Sequence, residues 1–198
     1  MGVRRLFSTV PAVHTRQHFL RRTAMPRALS AGLLTLFLVW AVAAAPVGTI
    51  TVCPVGPPTC DFATIQEGID AATAGDTVLV SADTYLEQVT LKSGVIVASA
   101  EGPEAAAILS PFSPAVVATG VTSATLRGFA VSTTSSTSPT VGIDVFSSDV
   151  VISDCVVSDI VGHDGGAVED NGCPAIGVRF GGEGSLELTE GEIHNIRG

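Results

Sequence analysis

Beyond residue 45 this 198-residue chain contains no tryptophan, and Tyr85 is its sole tyrosine. Sugar-binding grooves recruit aromatic faces, so this scarcity counts against a densely aromatic carbohydrate cleft. It leaves five phenylalanines, Phe62, Phe112, Phe129, Phe146 and Phe180, as stacking candidates. Basic residues are equally sparse there: Lys92, Arg127, Arg179 and Arg197 stand against 19 acidic residues. That imbalance excludes nucleic acid and anionic membrane as partners. It also repels acidic polysaccharides unless a cation intervenes. There is no close Cys-x-x-Cys pair, and the histidine nearest to a cysteine cluster, His163, stands alone, which counts against zinc.

What the chain does have is a strong asymmetry. Six of its ten basic residues lie in the first 27 positions, where there is no acid, and an uncharged, mostly apolar run, Ala28 to Ala45, follows. Basic segment, apolar segment and the small residues Ala41 and Ala43 form the pattern of a secretory signal. Residues 1–45 are therefore expected to be a signal peptide with a basic extension, cut after Ala43. Met25 is an alternative start, Arg21-Arg22 suggests a twin-arginine variant, and an uncleaved anchor is the rival reading. Export predicts a secreted or cell-surface protein with no membrane contact once the signal is removed.

The cysteines agree with export. All four, Cys53, Cys60, Cys155 and Cys173, lie beyond the signal, an even number suited to an oxidising compartment. Cys53 and Cys60 close a turn-rich loop with three prolines and a glycine, and are expected to form a disulfide. Cys155 has two readings, a buried thiol or a partner for Cys173.

Secondary-structure signals begin at Thr64. Thr64 to Glu67 reads as a capping box, the threonine hydroxyl accepting from the Glu67 amide while the Glu67 carboxylate reaches back. Ile65, Ile69 and Ala72 then recur with helical spacing, so a short helix is predicted from about Ile65 to Ala74, closed by Gly75 in a left-handed conformation. The period then changes. Val78-Leu79-Val80 is a continuous aliphatic run, and Val89 and Leu91 alternate with polar neighbours, which reads as strand.

The segment Phe62 to Val97, FATIQEGIDAATAGDTVLVSADTYLEQVTLKSGVIV, resembles the start of secreted right-handed parallel β-helix proteins of the pectin-lyase-like superfamily. Thr64-Ile65-Gln66 and Ile69-Asp70-Ala71-Ala72 match the helix that caps such solenoids, and Gly75-Asp76-Thr77-Val78 matches the opening of the first coil. Asp83 stands where the family usually has glycine, and is expected to keep the turn before Tyr85. The resemblance implies an all-β right-handed parallel β-helix with a short N-terminal capping helix over residues 46–198. About five rungs are recognisable, and no second cap follows Ile196, so the domain reads as a short or C-terminally incomplete solenoid.

Three later segments overlay without gaps: Leu126 to Val131, Ile152 to Val157 and Leu188 to Ile193. The intervals are 26 and 36 residues, in the range of solenoid coils. They predict inward columns Leu126/Ile152/Leu188, Val131/Val157/Ile193 and Phe129/Cys155/Gly191. Thr133/Asp159/Asn195 form a further column of turn residues with a structural role. Ser132 to Thr140 reads as a low-complexity loop leaving the solenoid.

Candidate chemistry is thin. Asp154 and Glu190 share one column, so on adjacent rungs their α-carbons stand ~4.8 Å apart. With Asp164, and with Glu169 and Asp170 from the intervening loop, they form a candidate Ca²⁺ site, against which stands a solvated acidic face. Gly162-His163-Asp164-Gly165 is similar to the Gly-His-Gly element of polygalacturonases, but the paired aspartates before it and the Arg-x-Lys after it, which inverting hydrolysis needs, are absent. It reads as a polar surface loop. Two functions are carried forward: a non-catalytic extracellular or cell-surface structural or adhesive module, and a carbohydrate-active lyase or hydrolase of the pectin-lyase-like type, or a fragment of one. Partners are polysaccharide or cell-surface components.

Overall fold

A computed structural model describes residues 47–135, 139–161 and 175–197. The expected signal lies outside the described residues, as do His163, Asp164, Glu169, Asp170 and Cys173. Among the described residues no helix is long and apolar enough to cross a membrane.

Strand β1 (Thr49–Val52) precedes the helix α1 (Ile65–Ala71), and strands then follow in groups of three. These are β2 (Thr77–Val80), β3 (Asp83–Tyr85) and β4 (Val89–Thr90), then β5 (Ile96–Ser99), β6 (Ala106–Ser110) and β7 (Val116–Thr119). The next coils hold β8 (Ala124–Arg127), β9 (Ala130–Thr133) and β10 (Thr140–Phe146), then β11 (Asp149–Ser153), β12 (Val156–Val157) and β13 (Ala175–Gly181). Strands β14 (Ser185–Thr189) and β15 (Glu192–Ile193) complete the set. Each strand pairs in parallel with its counterparts one coil before and after it. Three sheets result: β1-β2-β5-β8-β11-β14, β3-β6-β9-β12-β15 and β4-β7-β10-β13. They are called the first, second and third sheets below.

Strands this short cannot bury an apolar face alone; stacking lets each coil cover its neighbour. Ile50, Val78, Val97, Leu126, Ile152 and Leu188 form one column on the first sheet. Tyr85, Ile108, Val131, Val157 and Ile193 form another on the second. Val89, Val116, Ile143 and Val178 form the third. The expected columns through Leu126 and Val131 are thus in register, and all three faces feed one hydrophobic core. Each buried aliphatic side chain contributes about 1.5–3 kcal/mol. Burial fades towards the ends: Ile50 is half-buried, and Leu188 and Ile193 are about half exposed because no further strand of the described residues covers them. The first sheet shows one rung more than the five legible in the sequence. Val95 to Val97 and Ala115 to Val117 lie on different faces of one coil.

Corners repeat as well. Gly128, Asp154 and Glu190 share one register position and all have positive φ, as do Gly120, Ser147 and Gly182 at the corner after the third sheet. Asp159 and Asn195 form a third such pair, and the Asn195 amide donates to the Asp159 carboxylate. This is the structural role expected of that column.

Several sequence expectations change at the N-terminal end. The helix ends at Ala71, with Ala72 as an extended C-cap, so Gly75 belongs to the turn into β2 and not to the helix. Thr64 caps Glu67 as expected, at 3.2 Å, but the helix's first amides are met by a distant carboxylate: Ile65 and Gln66 donate to the two oxygens of Glu87. Asp83 is extended within β3 rather than left-handed. The loop after β9 is shorter than its composition implies, since Ser132 and Thr133 belong to β9 and Thr140 opens β10.

Candidate functional site

The acidic column proposed for calcium resolves into corner geometry. Asp154 and Glu190 sit at the left-handed corner that Gly128 makes one coil earlier, where the Asp154 amide donates to Thr189 O. Asp164 lies outside the described residues. Among the described residues no group of three His, Cys, Asp or Glu side chains is placed to hold a metal ion. Cys53 and Cys60 are joined by a disulfide with a Cα–Cα distance of 6.0 Å, and Cys155 is a buried free thiol. Burial pushes the Cys155 thiol pKa up, which makes it a packing group and not a nucleophile.

A different constellation stands on the outer face of the third sheet. In β10 the side chains alternate: Ile143 and Val145 are buried, so Asp144 and Phe146 face outward. Strand β13 lies beside it in register, which sets Arg179 opposite Asp144. Same-face partners on adjacent strands are close enough to pair. The guanidinium forks onto the carboxylate, Nε to Oδ1 at 2.8 Å and Nη2 to Oδ2 at 2.5 Å. It is the one salt bridge among the described residues. Hydrogen bonding to Asp144 raises the Arg179 pKa above its already high ordinary value, so the pair stays charged on the arginine side at any physiological pH. A guanidinium carries five N–H donors; those not used in the fork have no partner among the described residues.

Phe146 is 52% exposed and leans over Gly181, where an added Cβ would lie 3.3 Å from the ring. Phe180 is 44% exposed. It shares the register of the inward Val145, and no strand of the described residues follows β13 in its sheet to cover it. Thr119, Asp144, Phe146, Arg179, Phe180 and Gly181 together line an open groove of about 460 Å³. Its chemistry is an apolar ring surface beside a charge-compensated fork that offers donors and acceptors. Among the described residues Asp144 is its sole lining carboxylate, and no histidine lines it.

No protein-family model and no curated protein matches this sequence. Among solved structures, it is similar to a pectin methylesterase in complex with a hexasaccharide, with 14% identity and a TM-score of 0.53, over 75% of this chain and 56% of that one. A mutant of a pectin methylesterase, also in complex with a hexasaccharide, gives 12% identity and a TM-score of 0.51 over the same shares. The fold is a parallel β-helix. At such identity the likeness is one of fold, and the chain spans little more than half the length of those esterases.

The pectin-lyase-like resemblance of the sequence implies this architecture, whereas its acidic column lies at a corner and not in this groove. Asp144 carries no expectation from the sequence, and Arg179, Phe146 and Phe180 stand out there only as scarce residue types. One signal was available: Gly142-Ile143-Asp144-Val145-Phe146 and Gly177-Val178-Arg179-Phe180 both alternate aliphatic and polar residues after a glycine. Each places one charged residue between two apolar ones.

Proposed function

We propose that this chain is an exported parallel β-helix that binds polysaccharide on the outer face of its third sheet. The observation that carries the reading is the groove itself, in which the exposed Phe146 ring stands beside the Asp144–Arg179 fork on the outer face. An aromatic face packs against the C–H surface of a sugar ring, while a few fixed polar groups orient its hydroxyls. Export is supported by the Cys53–Cys60 disulfide and by the basic and apolar N-terminal pattern. The role is adhesive rather than catalytic. General acid–base chemistry on a glycosidic bond needs a second carboxylate, and the fork leaves Asp144 with its charge already engaged.

A second reading, a carbohydrate-active enzyme, is favoured by the fold neighbours, which are pectin methylesterases bound to oligosaccharides. One experiment separates the two. The protein is mixed with insoluble plant polysaccharide, and depletion from solution, methanol release and new reducing ends are followed together. Depletion without either product is expected, and Phe146→Ala should weaken retention about tenfold or more. Methanol or reducing ends released by wild type and lost in Asp144→Asn would establish the enzymatic reading instead.

A further inference from the structure

The charge arrangement around the groove goes one step further and selects the class of glycan; this step rests on the polysaccharide-binding reading. We infer that the third-sheet groove takes an uncharged polysaccharide and discriminates against polyuronates. Acidic polymers are held in proteins by cations whose charge is free to meet a carboxylate, with arginine favoured for its forked geometry. Here the one arginine of the groove is already engaged in that fork by Asp144, through both Nε and Nη2. A uronate carboxylate must either displace Asp144, leaving that carboxylate unpaired, or approach beside it as a like charge. Among the described residues no lysine or second arginine lines the groove to compensate.

The wider field acts in the same direction. Lys92, the other lysine or arginine engaged by hydrogen bonds among the described residues, has its ammonium turned onto the backbone carbonyls of Asp70 and Ala72 at the opposite end of the solenoid. The chain beyond residue 45 carries 19 acidic residues against four basic ones. A polyanion therefore meets net repulsion on approach and no released cation on arrival. An uncharged chain meets neither. Its hydroxyls can accept from the unused guanidinium N–H groups and donate to the Asp144 oxygens, with a ring face on Phe146. The ion pair is then a preformed polar platform, and no charge has to be desolvated unpaired when the ligand docks.

The test is affinity electrophoresis of the folded protein in native gels. One set holds galactan, xylan, mannan or hydroxyethyl cellulose; the other holds polygalacturonate or alginate. Retardation by at least one uncharged polymer is expected, little changed between about 20 mM and about 200 mM salt. The polyuronates should retard it at least about tenfold more weakly. Asp144→Asn, which frees the guanidinium, should raise polyuronate retardation and make it salt-sensitive. The substituted side chain is on the surface, and circular dichroism checks that the variant is folded. Stronger retardation by a polyuronate in wild type would overturn the inference and leave the polysaccharide-binding reading standing. No retardation by any of these polymers would overturn both.

Discussion

Asp76 illustrates how much one side chain does in this solenoid. Its carboxylate accepts from the amides of Gly48 and Thr73, at 2.7 Å each, and from the Thr73 hydroxyl at 2.8 Å, so it fastens the chain before β1 to the turn before β2. These bonds favour the charged form and hold its pKa below the usual carboxylate range. Because the folded value lies below the unfolded one, near 4, its stabilising contribution is complete above about pH 4 and is lost as pH falls through the folded pKa. Asp76→Ala should therefore lower Tm at neutral pH, and its deficit relative to wild type should shrink below about pH 4. A deficit that stays constant down to about pH 2 would show that the bonds are not linked to ionisation. The strand register makes an equally local prediction. Val157 is buried between Val131 and Ile193, whereas Val156 is half-buried on the opposite face. Val157→Asp should cost about 3–5 kcal/mol and Val156→Asp far less, read as midpoints of urea unfolding. Equal losses would contradict the register.

At the scale of elements, the capping helix is held by groups that come from the coil beneath it. The Glu87 carboxylate takes the amides of Ile65 and Gln66, and the Lys92 ammonium donates to the carbonyls of Asp70 and Ala72. An acid at the N-terminus and a base at the C-terminus also complement the helix dipole. Glu87→Ala and Lys92→Ala should each lower stability by about 1 kcal/mol, and their effects should add, since they act at opposite ends. Hydrogen exchange should report the loss first in α1; unchanged protection there would refute the clamp. The helix itself was legible from Thr64, Ile65 and Ile69, because local caps and periodicity are written in adjacent residues. Glu87 and Lys92 were not legible, since their partners lie some twenty residues away and are reached only through the coil geometry. The early closure at Ala71 has the same origin: the backbone must turn to place Asp76 beside Gly48. Gly68 is part of that fit, for a Cβ there would lie 2.8 Å from Val52 and 2.9 Å from Val78.

For the molecule as a whole, the columns through Leu126 and Val131 were readable because parallel stacking turns a repeat in sequence into a column in space. The groove was not readable in that way. Asp144 and Arg179 are 35 residues apart and meet only because β13 pairs with β10 after a long excursion. Phe180 has the inward register of Val145 and is exposed where no described strand follows β13. The acidic column that drew attention in the sequence is a set of corner residues, placed by backbone conformation. The central claim, that polysaccharide docks on the outer face of the third sheet, is tested most directly by amide NMR. Labelled protein is titrated with a hexasaccharide cut from the polymer that retains it best. Shifts should concentrate at Val117–Thr119, Asp144–Phe146 and Arg179–Gly181, with the Arg179 Nε–H moving alongside them. Shifts confined to the outer faces of the first or second sheet, or none at saturating sugar, would contradict it.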